Sequence, residues 1–163
     1  MNRMLGRSHI SVSPLGLGCW AIGGKFTLDG LADGWGEVDE RESMAGIHAA
    51  LERGVNFFDT ADVYGTGHSE RVLGQALKGR RQEAVIATKF GYTYDESTKE
   101  VFTRHNVSAD YVRSACERSL QRLDTDYIDV YQIHVGGLSL GEVESVIDTL
   151  NGLRQEGLIR TYG

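Results

Sequence analysis

The sequence has little that would place it outside the ordinary globular proteins. It has only two cysteines, Cys19 and Cys116, and they fit no Cys-x-x-Cys or Cys/His ligand spacing, so neither a zinc ribbon nor a dense disulfide scaffold is indicated. Residues 1–10 hold no apolar stretch of the kind that forms a secretory leader. Two isolated thiols without such a leader read as reduced, and the expected location is cytoplasmic. No run approaches the roughly 18 uncharged apolar residues of a membrane span, so no membrane partner is expected. Clustered lysine and arginine are also missing. Formal net charge is −6, and Arg80-Arg81 is the one short basic patch, which argues against a nucleic-acid partner. What remains is 163 residues, 40% hydrophobic and 25% charged, the size and composition of one soluble domain spanning 1–163.

Along that domain, residues 1–14 alternate polar and apolar side chains around turn-forming positions and predict a small β-hairpin cap. A short apolar strand follows at Leu15–Cys19. The Gly-rich, polar stretch from Gly23 to Val38 reads as a long loop, mobile or functional. Beyond it the pattern becomes regular. Asp39 with Glu42 predicts a helix start, Met44, Ile47, His48 and Leu51 repeat at helical spacing, and Gly54 supplies the stop. Val55–Phe58 is a buried strand ending at Asp59. Val72, Leu73, Ala76 and Leu77 mark a second helix. A strand from Ala84 ends at Lys89. Ser108 is placed to cap a third helix with Val112, Ala115, Cys116, Leu120 and Leu123 inward. A strand from Tyr127 ends at His134. Ser139 and Glu142 form a capping box ahead of a stripe of Val143, Val146, Ile147, Leu150 and Leu153, and Gly157 closes that helix. Leu158–Tyr162 opens one more strand.

Strand and helix therefore alternate four times with a fifth strand opening, and the strands are continuously apolar, as parallel strands covered by helices are. The units recur every 30 to 40 residues or so, and eight of them need roughly 250 residues. The expected fold class is α/β: a partial (β/α)8 TIM-type barrel, about strands one to five with four helices, residues 15–163, behind the hairpin cap at 1–14.

Asp59, Lys89 and His134 each fall at the C-terminal end of a strand, and Tyr64 lies just after one. That edge of a parallel sheet is where active sites are built. Each residue alone has a bland explanation: a turn-forming Asp, a half-buried surface Tyr, a solvated Lys, a satisfied polar His. Four different polar types meeting on one rim is not something packing requires. An ammonium beside a phenol favours the phenolate, a Tyr so placed serves as general acid toward a carbonyl oxygen, and a neutral His can hold that oxygen. The set suits carbonyl reduction with hydride from a nicotinamide cofactor.

Two other chemistries compete. Gly16-Leu-Gly18-Cys-Trp-Ala21 fits G-x-G-x-x-A, the dinucleotide fingerprint, which requires a helix to open within it. The following Ile22-Gly23-Gly24-Lys25-Phe26 carries no helical stripe, so the glycines are assigned to a tight strand. A metal-dependent hydrolase would draw ligands from His9, His48, His68, His105 and His134, of which only His134 sits cleanly at a strand end. No metal site is expected.

The segment from Gly54 to Glu70, GVNFFDTADVYGTGHSE, resembles the signature of the aldo-keto reductases around their catalytic Asp and Tyr. Ala87–Gly91 is similar to the family's lysine strand, Ser119–His134 to the helix and strand leading to its His, and Leu153–Gly163 to the entry into strand five. The resemblance runs nearly the whole length in order. It implies an oxidoreductase that reduces an aldehyde or ketone to an alcohol with NADP(H), NAD(H) being an alternative. It implies Tyr64 as general acid, Lys89 acting on Tyr64, Asp59 pairing with Lys89, and His134 orienting the small-molecule carbonyl substrate. Gly18, Cys19 and Trp20, with Asp59, match positions at the nicotinamide end of the cofactor, and Trp35 is placed with Tyr64 and His134 at the substrate pocket. Members of the family continue through strands five to eight, which carry most of the cofactor grip. The chain is therefore expected to be a truncated form, inactive in isolation or self-associating as a homo-oligomer through exposed strand edges. A non-catalytic fragment, scaffold or half-barrel on the same fold is the alternative.

Overall fold

In the computed structural model, which describes all of residues 1–163, the chain opens with the expected hairpin, β1 (Arg3–Met4) against β2 (Ser11–Val12). The main sheet is built from β3 (Gly16–Gly18), β6 (Phe57–Asp59), β7 (Val85–Phe90), β10 (Ile128–Ile133) and β11 (Ile159–Tyr162). All neighbours are parallel, in the order β11-β10-β7-β6-β3. Helices α1 (Glu40–Glu52), α2 (His68–Ala76), α3 (Ala109–Leu123) and α4 (Leu140–Gln155) separate them. None is long and apolar enough to cross a membrane. Parallel pairing brings the C-terminal ends of all five strands to one edge, and that edge carries the site.

Local chemistry accounts for the helix boundaries. The Asp39 carboxylate accepts from the N–H groups of Arg41 and Glu42 at the start of α1, and Gly54 beyond its end is left-handed at φ 82°. The Ser139–Glu142 capping box forms in full. At α3 the boundary is as expected but the device differs. Ser108 occupies the cap position without a side-chain cap bond, and its own N–H donates instead to the Asn106 side chain. Ile147 also departs from the expected stripe. It is 39% exposed while Val146, Leu150 and Leu153 are buried, because the sheet covers a narrower arc of α4 than the apolar residues span.

The main core lies between sheet and helices and includes Ile47, Phe58, Leu73, Ile86, Tyr131 and Leu150. On the opposite face Ile10 and Val12 pack on Val85, Ala87 and Val130, so the hairpin covers the strand face beneath it. Asn56 ties the two together, donating to the Ser11 carbonyl and accepting from Ser13 N–H.

The largest correction concerns residues 23–38, which are not an irregular loop. They contain a hairpin, β4 (Lys25–Leu28) and β5 (Leu31–Gly34). A second hairpin, β8 (Tyr92–Asp95) and β9 (Glu100–His105), joins it to make a four-stranded sheet ordered β5-β4-β9-β8. The physical reason is in the turn. Leu28 pairs with Leu31 across Asp29-Gly30, both at positive φ (47° and 78°), and Asp-Gly is the two-residue hairpin turn that matches strand twist. Asp29 then fixes the second hairpin by accepting from Thr103 N–H and Oγ1–H. This small sheet stands over the active edge of the main one.

Both cysteines are free and fully buried in the core, and burial pushes each thiol up to about 12. Thiolate is the reactive form, so neither is expected to react with a thiol-specific disulfide reagent in the native protein. Two equivalents should appear on unfolding, and rapid native labelling would contradict the packing.

Candidate active site

Strand register places the four residues. Gly18 pairs with Asp59 and Asp59 with Ala87, while Lys89 pairs with Gln132. The strand-end side chains therefore stand side by side on one rim. Lys89 is 13% exposed and its Nζ donates to Asp59 Oδ1 at 2.6 Å, to the Thr60 carbonyl at 2.7 Å and to the Tyr64 hydroxyl at 3.3 Å. His134 reaches the same place through its own backbone, donating N–H to the Phe90 carbonyl. Its ring stands edge-on to Tyr64 with centroids 5.8 Å apart, and Tyr92 flanks it at 5.3 Å.

Tyr64 is held from behind by backbone rather than by side chains. Gly65 is at φ 58°, and a Cβ there would lie 1.9 Å from the Gly23 carbonyl oxygen. A Cβ on Gly23 would meet the Tyr64 carbonyl carbon at 2.7 Å. Only two glycines allow this approach, and the contact presses the turn carrying Tyr64 against the segment after β3. Ser69 closes the other side, donating to the Cys19 carbonyl and bonded to Thr60 Oγ1.

Electrostatics distinguish the four. Burial first, then the Lys89 ammonium, against the opposing pull of Asp59, lowers His134 to about 4. The ring is neutral at pH 7, and its Nδ1 is buried without a partner in the protein. The unfolded chain takes up this proton first, near the ordinary histidine value. His134 therefore leaves stability intact above about pH 6.5 and withdraws it as pH falls toward 4. The shift alone corresponds to about 3 kcal/mol, which the partly open ring reduces to about 1–2 kcal/mol. Melting temperatures of wild type and His134→Gln should converge as pH falls through this window, and parallel curves would contradict it. Asp62, in the turn between Asp59 and Tyr64, is fully buried. Burial, with the Glu70 carboxylate adding to it, holds its carboxyl well above the usual range.

Above Tyr64 and His134 lies an open cleft of about 310 Å³ whose walls come from both hairpins: Phe26, Leu28, Asp33, Tyr92 and Val101, together with Trp20 and Val63. In the sequence only Asp29-Gly30 marks these hairpin residues, and it marks the first hairpin alone. The larger groove beside Lys25 and Lys99, about 470 Å³, carries none of the four polar residues. The other sequence-predicted positions fall as follows. Trp20 is 41% exposed and packs on Tyr64 at 6.2 Å. Trp35, 60% exposed, stands edge-on to Trp20 at 5.6 Å and reaches the cleft only through it. Gly18 is exposed. Cys19 is buried with its Sγ–H toward the Leu17 carbonyl, which leaves only its backbone to face the rim. The residues 21–23 that would have to open a dinucleotide helix form a single 3-10 turn. No group of three His, Cys, Asp or Glu residues is gathered to hold a metal.

The profile of the Aldo/keto reductase family matches residues 14–163. The chain belongs to that family. An aldo-keto reductase from Bacillus halodurans, solved in its holo form, superimposes with a TM-score of 0.85 at 37% identity over 99% of this chain and 49% of its own. The NADH-specific methylglyoxal reductase of Escherichia coli is 35% identical over 98% of this chain and 50% of its own length. An aldo-keto reductase from Klebsiella pneumoniae in complex with NADPH gives a TM-score of 0.72 at 29% identity, over 95% and 46%. The chain thus spans about half the length of the relatives it matches, and its parallel strands and four helices are part of an aldo-keto reductase barrel. Aldo-keto reductases are oxidoreductases, and the Escherichia coli and Klebsiella pneumoniae proteins are described with NADH and NADPH respectively.

Proposed function

We propose that this chain carries the catalytic rim of a nicotinamide-dependent carbonyl reductase that converts an aldehyde or ketone to an alcohol, using NADP(H) in preference to NAD(H). The observation that supports this best is the single lysine that touches both Asp59 and the Tyr64 hydroxyl, with a neutral imidazole across the cleft. The rim also fits a flat ring beside it: a Cβ on Gly18 would meet nothing within 4 Å, and Trp20 stands exposed next to it. Gly18, the Cys19 backbone, Trp20 and Asp59 would hold the nicotinamide end of the coenzyme. When bound, the coenzyme supplies the hydride.

The chain's own residues do the rest. Tyr64 hydrogen-bonds the carbonyl oxygen and gives it a proton. Lys89, 3.3 Å from that hydroxyl, stabilises the negative charge that develops there. Asp59 and the Thr60 carbonyl fix the ammonium in place, which is preorganisation rather than proton transfer. His134, neutral, binds the same carbonyl oxygen from the other side and aligns it. The aromatic walls of the cleft reduce water access to the reacting oxygen. Two buried thiols accord with a cytoplasmic site of action.

Titration with NADPH and with NADH, followed by coenzyme consumption against a panel of aldehydes, tests the proposal. In the complete barrel that carries this rim, saturable binding with aldehyde-dependent oxidation, NADPH ahead of NADH, is the expected result. Absence of binding to that complete barrel at millimolar coenzyme would overturn it and favour a scaffold on the same fold.

A further inference from the structure

The cleft above Tyr64 carries a single formal charge of its own. Its walls are mostly aromatic and aliphatic, and the exception is Asp33 on β5. No lysine or arginine lines it. The nearest catalytic cation, Lys89, lies behind Tyr64 and is bound to Asp59. Asp33 has no ion-pair partner, and its one hydrogen bond takes Oδ1, which accepts from Gly34 N–H at 2.7 Å. Phe26 and Asp33 also line a neighbouring groove with Lys25, which is engaged by Glu37, and with Lys99 from the turn between β8 and β9.

The position of this carboxylate is fixed by the fold. Asp33 pairs with Phe26 in the hairpin register. The hairpin is anchored to β9 through Asp29–Thr103 and through Thr27 N–H to the Lys99 carbonyl. Phe26 also lines the cleft, so the carboxylate sits at the edge of an apolar wall. It is there that the end of a bound carbonyl compound remote from its reacting group would lie. A charge partly shielded from water and beside low-dielectric side chains acts on such an end over several ångströms.

We propose that Asp33 is a specificity-determining residue: it favours carbonyl substrates that bear a positive charge at the end remote from the carbonyl, and disfavours those that bear a carboxylate there. The proposal rests on the carbonyl-reductase reading of the site. Because Asp33 is only half-buried, each charge should change kcat/KM by about threefold to tenfold relative to a neutral substrate at low ionic strength, and added salt should shrink the effect.

The test compares benzaldehydes carrying a para trimethylammonium group, no substituent or a para carboxylate, on wild type, Asp33→Asn and Asp33→Lys. In wild type the cation-to-anion ratio of kcat/KM should be about tenfold or more at low salt. The para-ammonium group also activates the aldehyde intrinsically, so the variants are compared with wild type: the ratio should fall about tenfold or more in Asp33→Asn and further in Asp33→Lys. A ratio unchanged by either substitution overturns the proposal while leaving carbonyl reduction intact. A second measurement does not depend on turnover. Of the chain's two tryptophans, Trp20 lines the cleft and Trp35 stands edge-on against it, so their fluorescence reports binding of benzyltrimethylammonium against benzoate. Ammonium preference lost in Asp33→Asn without turnover of any aldehyde would support Asp33 and reject the reductase reading. Equal binding of both probes, or of neither, would reject Asp33.

Discussion

Tyr64→Phe is expected to lower aldehyde reduction by about 10²- to 10⁴-fold while leaving the fold and coenzyme binding intact. The substitution removes one oxygen whose only hydrogen bond is the 3.3 Å contact from Lys89. The ring that remains keeps its neighbours Trp20 and His134. Lys89 also stays fixed, because Asp59 and the Thr60 carbonyl hold it without help from the phenol. This is a cleaner experiment than Lys89→Met, which would strand the Asp59 carboxylate and the Thr60 carbonyl together. Steady-state rates beside melting curves and coenzyme titration check it. A variant retaining a tenth of wild-type activity would mean that the proton comes from elsewhere.

The second large effect is on stability. Glu70, fully buried at the start of α2, accepts from Thr88 Oγ1 at 2.6 Å and from Arg122 Nε at 2.6 Å. Arg122, itself 6% exposed, continues to Glu96 in the turn between β8 and β9. Removing one member leaves the other charged and buried. Glu70→Ala and Arg122→Ala should each cost about 3–5 kcal/mol, on the order of 10 °C in melting temperature for a chain of this size. The double variant should lose less than the sum, because the second deletion removes the charge that the first left unpaired. The network also has a functional reach. Thr88 precedes Lys89, Glu70 follows the Tyr64 turn, and Glu96 belongs to the hairpin that carries Tyr92, so loosening it should lower turnover too. Additive losses in thermal denaturation would show that the pair is not coupled.

The parts of this arrangement that were legible in the sequence are those governed by short-range rules. Continuous apolar runs ending in Asp59, Lys89 and His134 mark parallel strands because both faces of such strands are covered. The parallel topology then brings their ends together without further information. The capping pair at Ser139 and Glu142 and the stop at Gly54 are equally local. The cleft was not legible in the same way. Its walls depend on two hairpins, 25–34 and 92–105, that pair with each other across more than sixty intervening residues, and their polar–aromatic alternation is weak. Only Asp29-Gly30 announces one of them. The exposed setting of Ile147 and the indirect place of Trp35 likewise follow from how neighbouring elements pack, which periodicity does not encode. The charge state of His134 belongs to the same class. A strand-end histidine can be seen in the sequence, but its neutrality arises from burial and from Lys89, set in place by strand pairing.

The most direct test of the claim that this rim reduces carbonyls is to follow the transferred hydrogen. Incubation of the protein with an aldehyde and NADPH deuterated at the transferable C4 position, with mass analysis of the alcohol, should place one deuterium on the former carbonyl carbon, and Tyr64→Phe should suppress its appearance. An alcohol product free of deuterium, or bound coenzyme that never yields alcohol from any aldehyde, would contradict the account.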